Sequence, residues 1–332
     1  MPSKPIIAIT IGDPAGIGPE VTAKALAHAD VWTACRPLVI GDAGVMRRAA
    51  ALVGAAYAWC TIADPADARY DPAAPDVLDL ANVDAATLAD GRVQAAAGRA
   101  AVDYIERSAA LAKAGVVHAI ATGPINKAAV KAARIPFIGH TEMLASLLGE
   151  PNVTTMLATT DLMVVHVTRH VPMAQVAALI TVDNVLETIR LTHEGLRPMG
   201  YARPRIGVAA LNPHGGDEGL VGREEIEAIG PAVAAARAED IDATGPIPAD
   251  SIFFRAIRGE FDVVVAMYHD QGHIPIKTHG FERSVTVTLG LPVVRTSVDH
   301  GTAFDIAWRG VASDESMVEA ILLAAKLAAG AA

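Results

Sequence analysis

At 332 residues the chain is longer than a single hydrophobic core usually serves, so two domains are expected. Hydrophobic residues are 52% of it and aromatics only 4%, an alanine-rich α/β composition in which no apolar run reaches the length of a membrane span. The formal net charge of -10 argues against nucleic acid or an anionic membrane surface as partner, yet a local cluster of Lys, Arg and His can still grip a small anion. The N-terminus has no basic region before a cleavable apolar core, so the cytoplasm is the expected location. Cys35 and Cys60 have no metal-type spacing and are expected to be buried small hydrophobes.

Pro5 to Ile11 reads as an apolar strand, followed by the turn GDPAGIGPE and an apolar-periodic helix from Val21 to Ala29. Pro19 suits a first helical turn, and Glu20 complements the positive helix end. The turn is similar to a phosphate-binding Gly-rich loop but is neither GxGxxG nor a Walker A sequence. A structural turn and a phosphate cradle are therefore both open, with Asp13 the member that could do more. Arg36 to Ile40 reads as a strand, Gly44 to Val53 as a helix, Val77 to Leu80 as a short strand and Gly91 to Ala114 as a long amphipathic helix. Val116 to Ala121 is a buried strand ending in TGPINK, which sets Lys127 just past the strand end; such a lysine is either solvated or part of a site. GHTE, Gly139 to Glu142, opens a helix with Thr141 as its expected cap. Further strands are expected from Met163 to Thr168, Arg205 to Leu211, Val263 to Met267 and Val285 to Leu289. Thr302 to Arg309 and Ser316 to Ala329 read as helical and return to the first domain. The predicted domains are thus 1–132 with 302–332, and 133–301.

Three of these strands each run out into a histidine: His170, His214 and His269. Metal sites are commonly assembled from imidazoles at strand ends; the competing reading is a set of satisfied polar groups at a domain cleft. His166 lies inside its strand and is expected in the core. The richest stretch runs from Asp262 to Gly301 and packs His269, Asp270, His273, Lys277, Arg283, Arg295, Asp299 and His300 around two apolar runs. Sites in open α/β sheets lie just past strand carboxyl ends, and Lys277 and Arg295 could together grip an anion.

GDPAGIGPE, TGPINK, GHTE, LNPH, YHDQG and RTSVDHGTAFDIA, in this order over nearly the whole chain, resemble the 4-hydroxythreonine-4-phosphate dehydrogenase family of vitamin B6 biosynthesis. The resemblance implies two α/β/α domains of the isocitrate and isopropylmalate dehydrogenase type, with the active site in the interdomain cleft. It implies NAD or NADP without a Rossmann fingerprint, at residues the motifs do not specify, and a homodimer with shared active sites. The implied metal ligands are His170, His214 and His269, the last supplied by the partner chain. Zinc suits three imidazoles best, while substrate oxygens leave room for magnesium, manganese, cobalt or nickel. Implied substrate contacts are His140, Thr141, Lys277, Thr286 and Arg295. The implied chemistry is oxidation of 4-hydroxy-L-threonine 4-phosphate, the metal lowering the hydroxyl pKa, followed by decarboxylation of the β-keto acid. Asp250, Asp270 and Lys127 are the catalytic candidates, the two aspartates being better suited to orienting imidazoles.

Two departures bear on the substrate. RSVTVTLG stands where enzymes of that pathway resemble RGVNITLG, so Thr286 replaces an Asn, and HDQGHIPIK replaces the HDQGLPVLK type. Both look more like a sister group acting on D-threonate or D-erythronate 4-phosphate. A more distant group oxidises aromatic cis-dihydrodiols but lacks the counterparts of Arg295 and GHTE; charges kept here would be left unpaired by a neutral diol. Outside the oxidoreductases, the alternatives are a phosphoacyl transferase and a phosphate-ester-binding protein.

Overall fold

The computed structural model describes residues 4–136, 139–150, 152–159, 161–280 and 283–330. The strands are β1 (Ile6–Thr10), β2 (Arg36–Gly41), β3 (Cys60–Ile62), β4 (Asp76–Asp79), β5 (Ala119–Thr122), β6 (Thr154–Ala158), β7 (Met163–His166), β8 (Ile206–Ala209), β9 (Ala243–Ile247), β10 (Val263–Ala266), β11 (Val285–Leu289) and β12 (Val294–Val298). The helices are α1 (Gly18–Ala25), α2 (Ala29–Ala34), α3 (Ala43–Val53), α4 (Ala95–Lys113), α5 (Lys127–Ala132), α6 (His140–Leu148), α7 (Met173–Leu179), α8 (Val182–Leu196), α9 (Gly230–Ala238), α10 (Ala249–Ile257), α11 (His269–Gly280) and α12 (Glu315–Gly330). None of the described helices is long and apolar enough to cross a membrane.

The chain divides into two compact units. One runs from Asn152 to Gly290; the other combines the chain before it with Leu291–Gly330. Residues 139–150 and 291–301, assigned to the second domain by sequence, lie with the first unit. There α6 packs on α4, and β12 pairs in parallel with β5.

In the first unit the strand order is β3-β4-β2-β1-β5-β12, every pair parallel. Its inner strands, such as IIAIT and AIAT, are buried on both faces, which is why they read as continuous apolar runs rather than alternating ones. The long helix α4 buries Ala97, Ala101, Tyr104, Ile105 and Ser108 along one stripe. Gly98 lets α5 approach that stripe: a Cβ there would sit 2.2 Å from the Ala129 carbonyl oxygen. The expected helix from Thr302 to Arg309 does not form. Ala303 and Trp308 take left-handed φ of 41° and 61°, and the segment is pinned by Glu20, whose carboxylate accepts from Trp308 N at 2.5 Å and Gly310 N at 2.8 Å.

In the second unit the order is β11-β6-β7-β10-β8-β9, with β11, β6 and β7 antiparallel and the remainder parallel. Leu157, Val164, Val264, Phe253 and Ile276 belong to one core beneath α10 and α11. The parallel strands β7, β10 and β8 are neighbours and end at the same edge of the sheet. Their exits are the three segments that carry His170, His269 and His214.

Candidate functional site

In β7 and β10, His166 is paired with Ala266, so the two chains leave the sheet side by side. Four residues later β7's exit reaches His170, while β10's exit turns through Tyr268 into α11 at His269. The His170 and His269 ring centroids are 5.7 Å apart. Together with Arg169, Tyr268 and Asp270 they line a cavity of about 240 Å³. His269 Nδ1 donates to Asp270 Oδ1 at 2.6 Å, which fixes the ring and leaves Nε2 to meet a ligand. His273, one turn along α11, donates from Nδ1 to the His269 carbonyl at 3.0 Å and stacks on the His269 ring at 3.6 Å and 11°. Behind it His166 is 3% exposed; burial, then His273 and His269, push its pKa down to about 3, so this core imidazole is neutral.

His214 follows β8 on an exposed loop. From His214 to Glu218 every residue has positive φ, His214 itself at 54°. Non-glycine residues hold such a conformation only when the surroundings impose it. The root of this loop is fixed by Glu225, whose Oε1 accepts from Leu211 N at 2.8 Å and Asn212 N at 2.7 Å. The structure thus brings His170 and His269 together. Among the described residues of one chain, no three His, Cys, Asp or Glu side chains are gathered closely enough to hold a metal ion. The donor chemistry suits a divalent ion, with a carboxylate behind one imidazole, but one chain does not complete the set. Asp250 is exposed in the first turn of α10, Lys277 half-buried in the last turn of α11, and Thr286 half-buried in β11 opposite Leu157.

The cationic residues of the first unit form a second cluster. Arg295, in β12, is 2% exposed and donates from Nη2 to Thr122 Oγ1 in the neighbouring β5 at 2.6 Å. Burial pushes its pKa down to about 9, against the pull of Glu142. His140 opens α6; burial first, then the Arg295 charge, hold its pKa well below the usual histidine range, so it too is neutral. Its Nε2 is buried and meets no hydrogen-bond partner among the described residues. Gly139, not Thr141, occupies the cap position of α6, and Thr141 lies half-buried in the first turn. Lys127 is the exposed first residue of α5, which Asn126 caps by accepting from Ala129 N at 3.0 Å. Its Cε lies 4.0 Å from where a Cβ at Gly139 would be, so it sits against the GHTE segment.

The Gly-rich turn after β1 is a packing device. A Cβ at Gly12 would meet Pro124 O at 2.3 Å, one at Gly16 would meet Thr302 Cβ at 2.9 Å, and one at Gly18 would meet Ile11 O at 2.0 Å. Several of its amides are spent as well: Asp13 N donates to Pro124 O, Ala15 N to Asp13 Oδ1, Gly16 N to Asp13 O and Ile17 N to Thr302 O, so protein takes much of the space and many of the donors a phosphate cradle would need.

Arg169 and Tyr268 as cavity walls and the stacking of His273 lie outside what the sequence pattern signals; the i, i+4 spacing of His269 and His273 becomes informative only because HDQG starts a helix rather than continuing a strand exit.

A family model described as "Pyridoxal phosphate biosynthetic protein PdxA" matches residues 33–324. The D-threonate 4-phosphate dehydrogenase of Cupriavidus necator is 50% identical, covering 98% of this chain and 97% of its own. A 4-hydroxythreonine-4-phosphate dehydrogenase of Desulforapulum autotrophicum is 49% identical, over 97% and 95% of the two chains. The crystal structure of a 4-hydroxythreonine-4-phosphate dehydrogenase from Burkholderia phymatum matches with a TM-score of 0.90 at 49% identity, covering 98% of each chain. Near-full-length similarity to named dehydrogenases, on the same mixed α/β fold, places the chain among the oxidoreductases. Within that class, the chain belongs to the PdxA family.

Proposed function

We propose that the protein oxidises a 4-phosphorylated hydroxy acid with NAD or NADP and a divalent metal, and that the acid is D-threonate or D-erythronate 4-phosphate. The observation that carries the phosphorylated class is Arg295, a guanidinium 2% exposed beside the His140 ring, because a fixed positive charge in so dry a setting attracts a phosphate more strongly than a neutral diol. Thr286 supports the choice of acid. One short hydroxyl stands where the vitamin B6 enzymes carry an amide, and a sugar acid has a hydroxyl in place of the amino group that an amide could address. The Cupriavidus necator relative, named for D-threonate 4-phosphate, supports the same choice.

In this reading Arg295, His140 and Thr141 hold the phosphate end, while Lys277 and Thr286 contact the remainder of the substrate. A divalent ion held by the histidines would supply polarisation of the substrate hydroxyl, and a bound dinucleotide would supply the hydride acceptor for oxidation to a β-keto acid that decarboxylates readily. Asp270 orients His269 through Nδ1, and Asp250 and Lys127 are the groups assigned to proton transfer. In this reading the active form is a homodimer in which His269 of one copy completes the set begun by His170 and His214 of the other, although His170 and His269 of one chain already stand 5.7 Å apart. Apolar side chains left exposed on the second unit, such as Met173, Phe254 and Ile274, support the expectation of a second copy.

The competing substrate is 4-hydroxy-L-threonine 4-phosphate, in pyridoxal phosphate biosynthesis, favoured by the family description and by the Desulforapulum relative. The deciding assay follows NAD reduction on the two acids side by side with added metal. Higher kcat/KM on D-threonate 4-phosphate is expected. Preference for the amino acid would overturn the choice, and inactivity on both would overturn the reaction class.

A further inference from the structure

The sheet's own hydrogen bonds stop short of the histidines. The last paired residues are Ala266 with His166 on one side of β10, and Val265 with Val208 on the other. On the β7 side the backbone continues the contact, since Thr168 donates to Met267 O from N at 3.1 Å and from Oγ1 at 2.9 Å. On the β8 side a side chain takes over. Gln271 Oε1 accepts from Met267 N at 2.6 Å, and Gln271 Nε2 donates to Ala210 O at 2.7 Å. The amide thus does what one more peptide unit in the ladder would do, bridging β10's exit to β8's exit.

Every member of this bridge is buried: Gln271 is 8% exposed, Thr168 6%, and Met267 and Ala210 0%. Met267 stands two residues before His269, and Ala210 four before His214. The bridge needs one acceptor and one donor facing opposite ways, which a carboxamide supplies and neither a carboxylate nor a cation can. Reaching back from the first turn of α11 to Met267, Gln271 goes one residue further out than the glutamine of a capping box.

We propose that Gln271 is a positioning residue that holds the exits bearing His269 and His214 in fixed relation within one chain, so that each presents its histidine to the shared site it serves, His214 to that of its own copy and His269 to that of the partner. The proposal rests on the histidine site assigned under the proposed function. A purely structural glutamine would also satisfy two buried backbone groups, so the test must read more than stability.

Two variants separate its bonds: Gln271→Met keeps the length and removes both, while Gln271→Glu keeps the acceptor and loses the donor. Hydrogen exchange on the metal-free full chain reads the bridge at the Met267 amide, which Gln271 accepts from, and reads its hold on the Ala210 carbonyl through loosening of the segment that follows. Gln271→Met is expected to lose protection at both Met267 to Asp270 and Ala210 to Gly216, and Gln271→Glu at the second segment alone. In the holoenzyme, Gln271→Met is expected to lower kcat on the order of 10- to 100-fold with KM little changed. A core variant with the same loss of Tm, Val264→Ala, is expected to keep its kcat. Unchanged protection at Ala210 to Gly216, or lost protection with unchanged kcat, overturns the proposal. A wild type inactive on both acids, with the exchange pattern intact, would instead mark failure of the proposed function.

Discussion

Asp13 offers a sharp test of how the turn after β1 is built. Its side chain is 0% exposed; Oδ1 accepts from Ala15 N at 2.8 Å, and Oδ2 is buried with no hydrogen-bond partner among the described residues. Burial raises its pKa from 3.8 to about 6, opposed only in part by the Ala15 amide. Below the unfolded pKa both states hold the proton and stability is indifferent to this group. Between the two values the native state keeps a proton that the unfolded chain releases, so stability falls as pH rises. Above about 6 the native carboxylate is ionised as well, and the full penalty stands. A shift of roughly two units at about 1.4 kcal/mol each amounts to about 3 kcal/mol. Asp13→Asn cannot ionise and therefore lacks this slope. Urea unfolding of both proteins from pH 4 to 8 should show the variant gaining on the wild type by about 3 kcal/mol across that window. Any constant offset from the new amide N–H cancels in the trend. A difference that stays flat with pH would refute the buried, unpartnered carboxyl.

Three further outcomes are expected. Arg295→Ala should raise KM for the phosphorylated substrate far more than for the dinucleotide, by an interaction on the order of 2–4 kcal/mol, measured by steady-state kinetics; an unchanged constant would place the phosphate elsewhere. His214→Ala should lose bound metal and activity while its circular dichroism and Tm stay near wild type, because the side chain is exposed; full activity would remove His214 from the site. Gly98→Ala should cost about 1–3 kcal/mol in chemical denaturation, since its methyl would collide with the Ala129 carbonyl between α4 and α5.

The parts legible from sequence were those governed by local pattern. Val285 to Leu289 forms a strand with the expected bounds, and Val263 to Met267 does so with one residue fewer, because β-branched runs specify a strand locally. β12 was not legible: VRTSV carries Arg295 in its interior, and only the pairing with β5 explains a guanidinium inside a buried strand. β6 was missed because its threonine-rich sequence acquires order by antiparallel pairing with β7 and β11. The segment from Thr302 to Arg309 has helical composition, but Glu20, 288 positions earlier, spends its amides and holds it out of a helix. The histidine pattern named residues at strand ends but carried no geometry. Sequence spacing gives no sign that His170 and His269 approach while His214 waits on a loop of left-handed residues.

The same distinction explains which polar residues the fold invests in loops. Past a strand's end, backbone N–H groups lose their ladder partners, and leaving them buried and unpaired is costly. Here buried side chains supply the missing acceptors, from as near as four residues and as far as 288. Glu20 serves Trp308 and Gly310, Glu225 serves Leu211 and Asn212, and Gln271 serves Met267 while also donating to Ala210. Glu225 and Gln271 replace a strand's ladder at a loop root, so those loops leave the sheet in a set direction, while Glu20 pins a segment further from its strand. A loop held at its root can carry an exposed histidine in a strained backbone, as His214 does, because the order it needs is provided below it. The residues that make such a site dependable are therefore buried glutamates and glutamines some distance from the chemistry. A motif such as HDQG couples the two functions in one turn of helix: its histidine faces the cavity, and its glutamine faces the sheet.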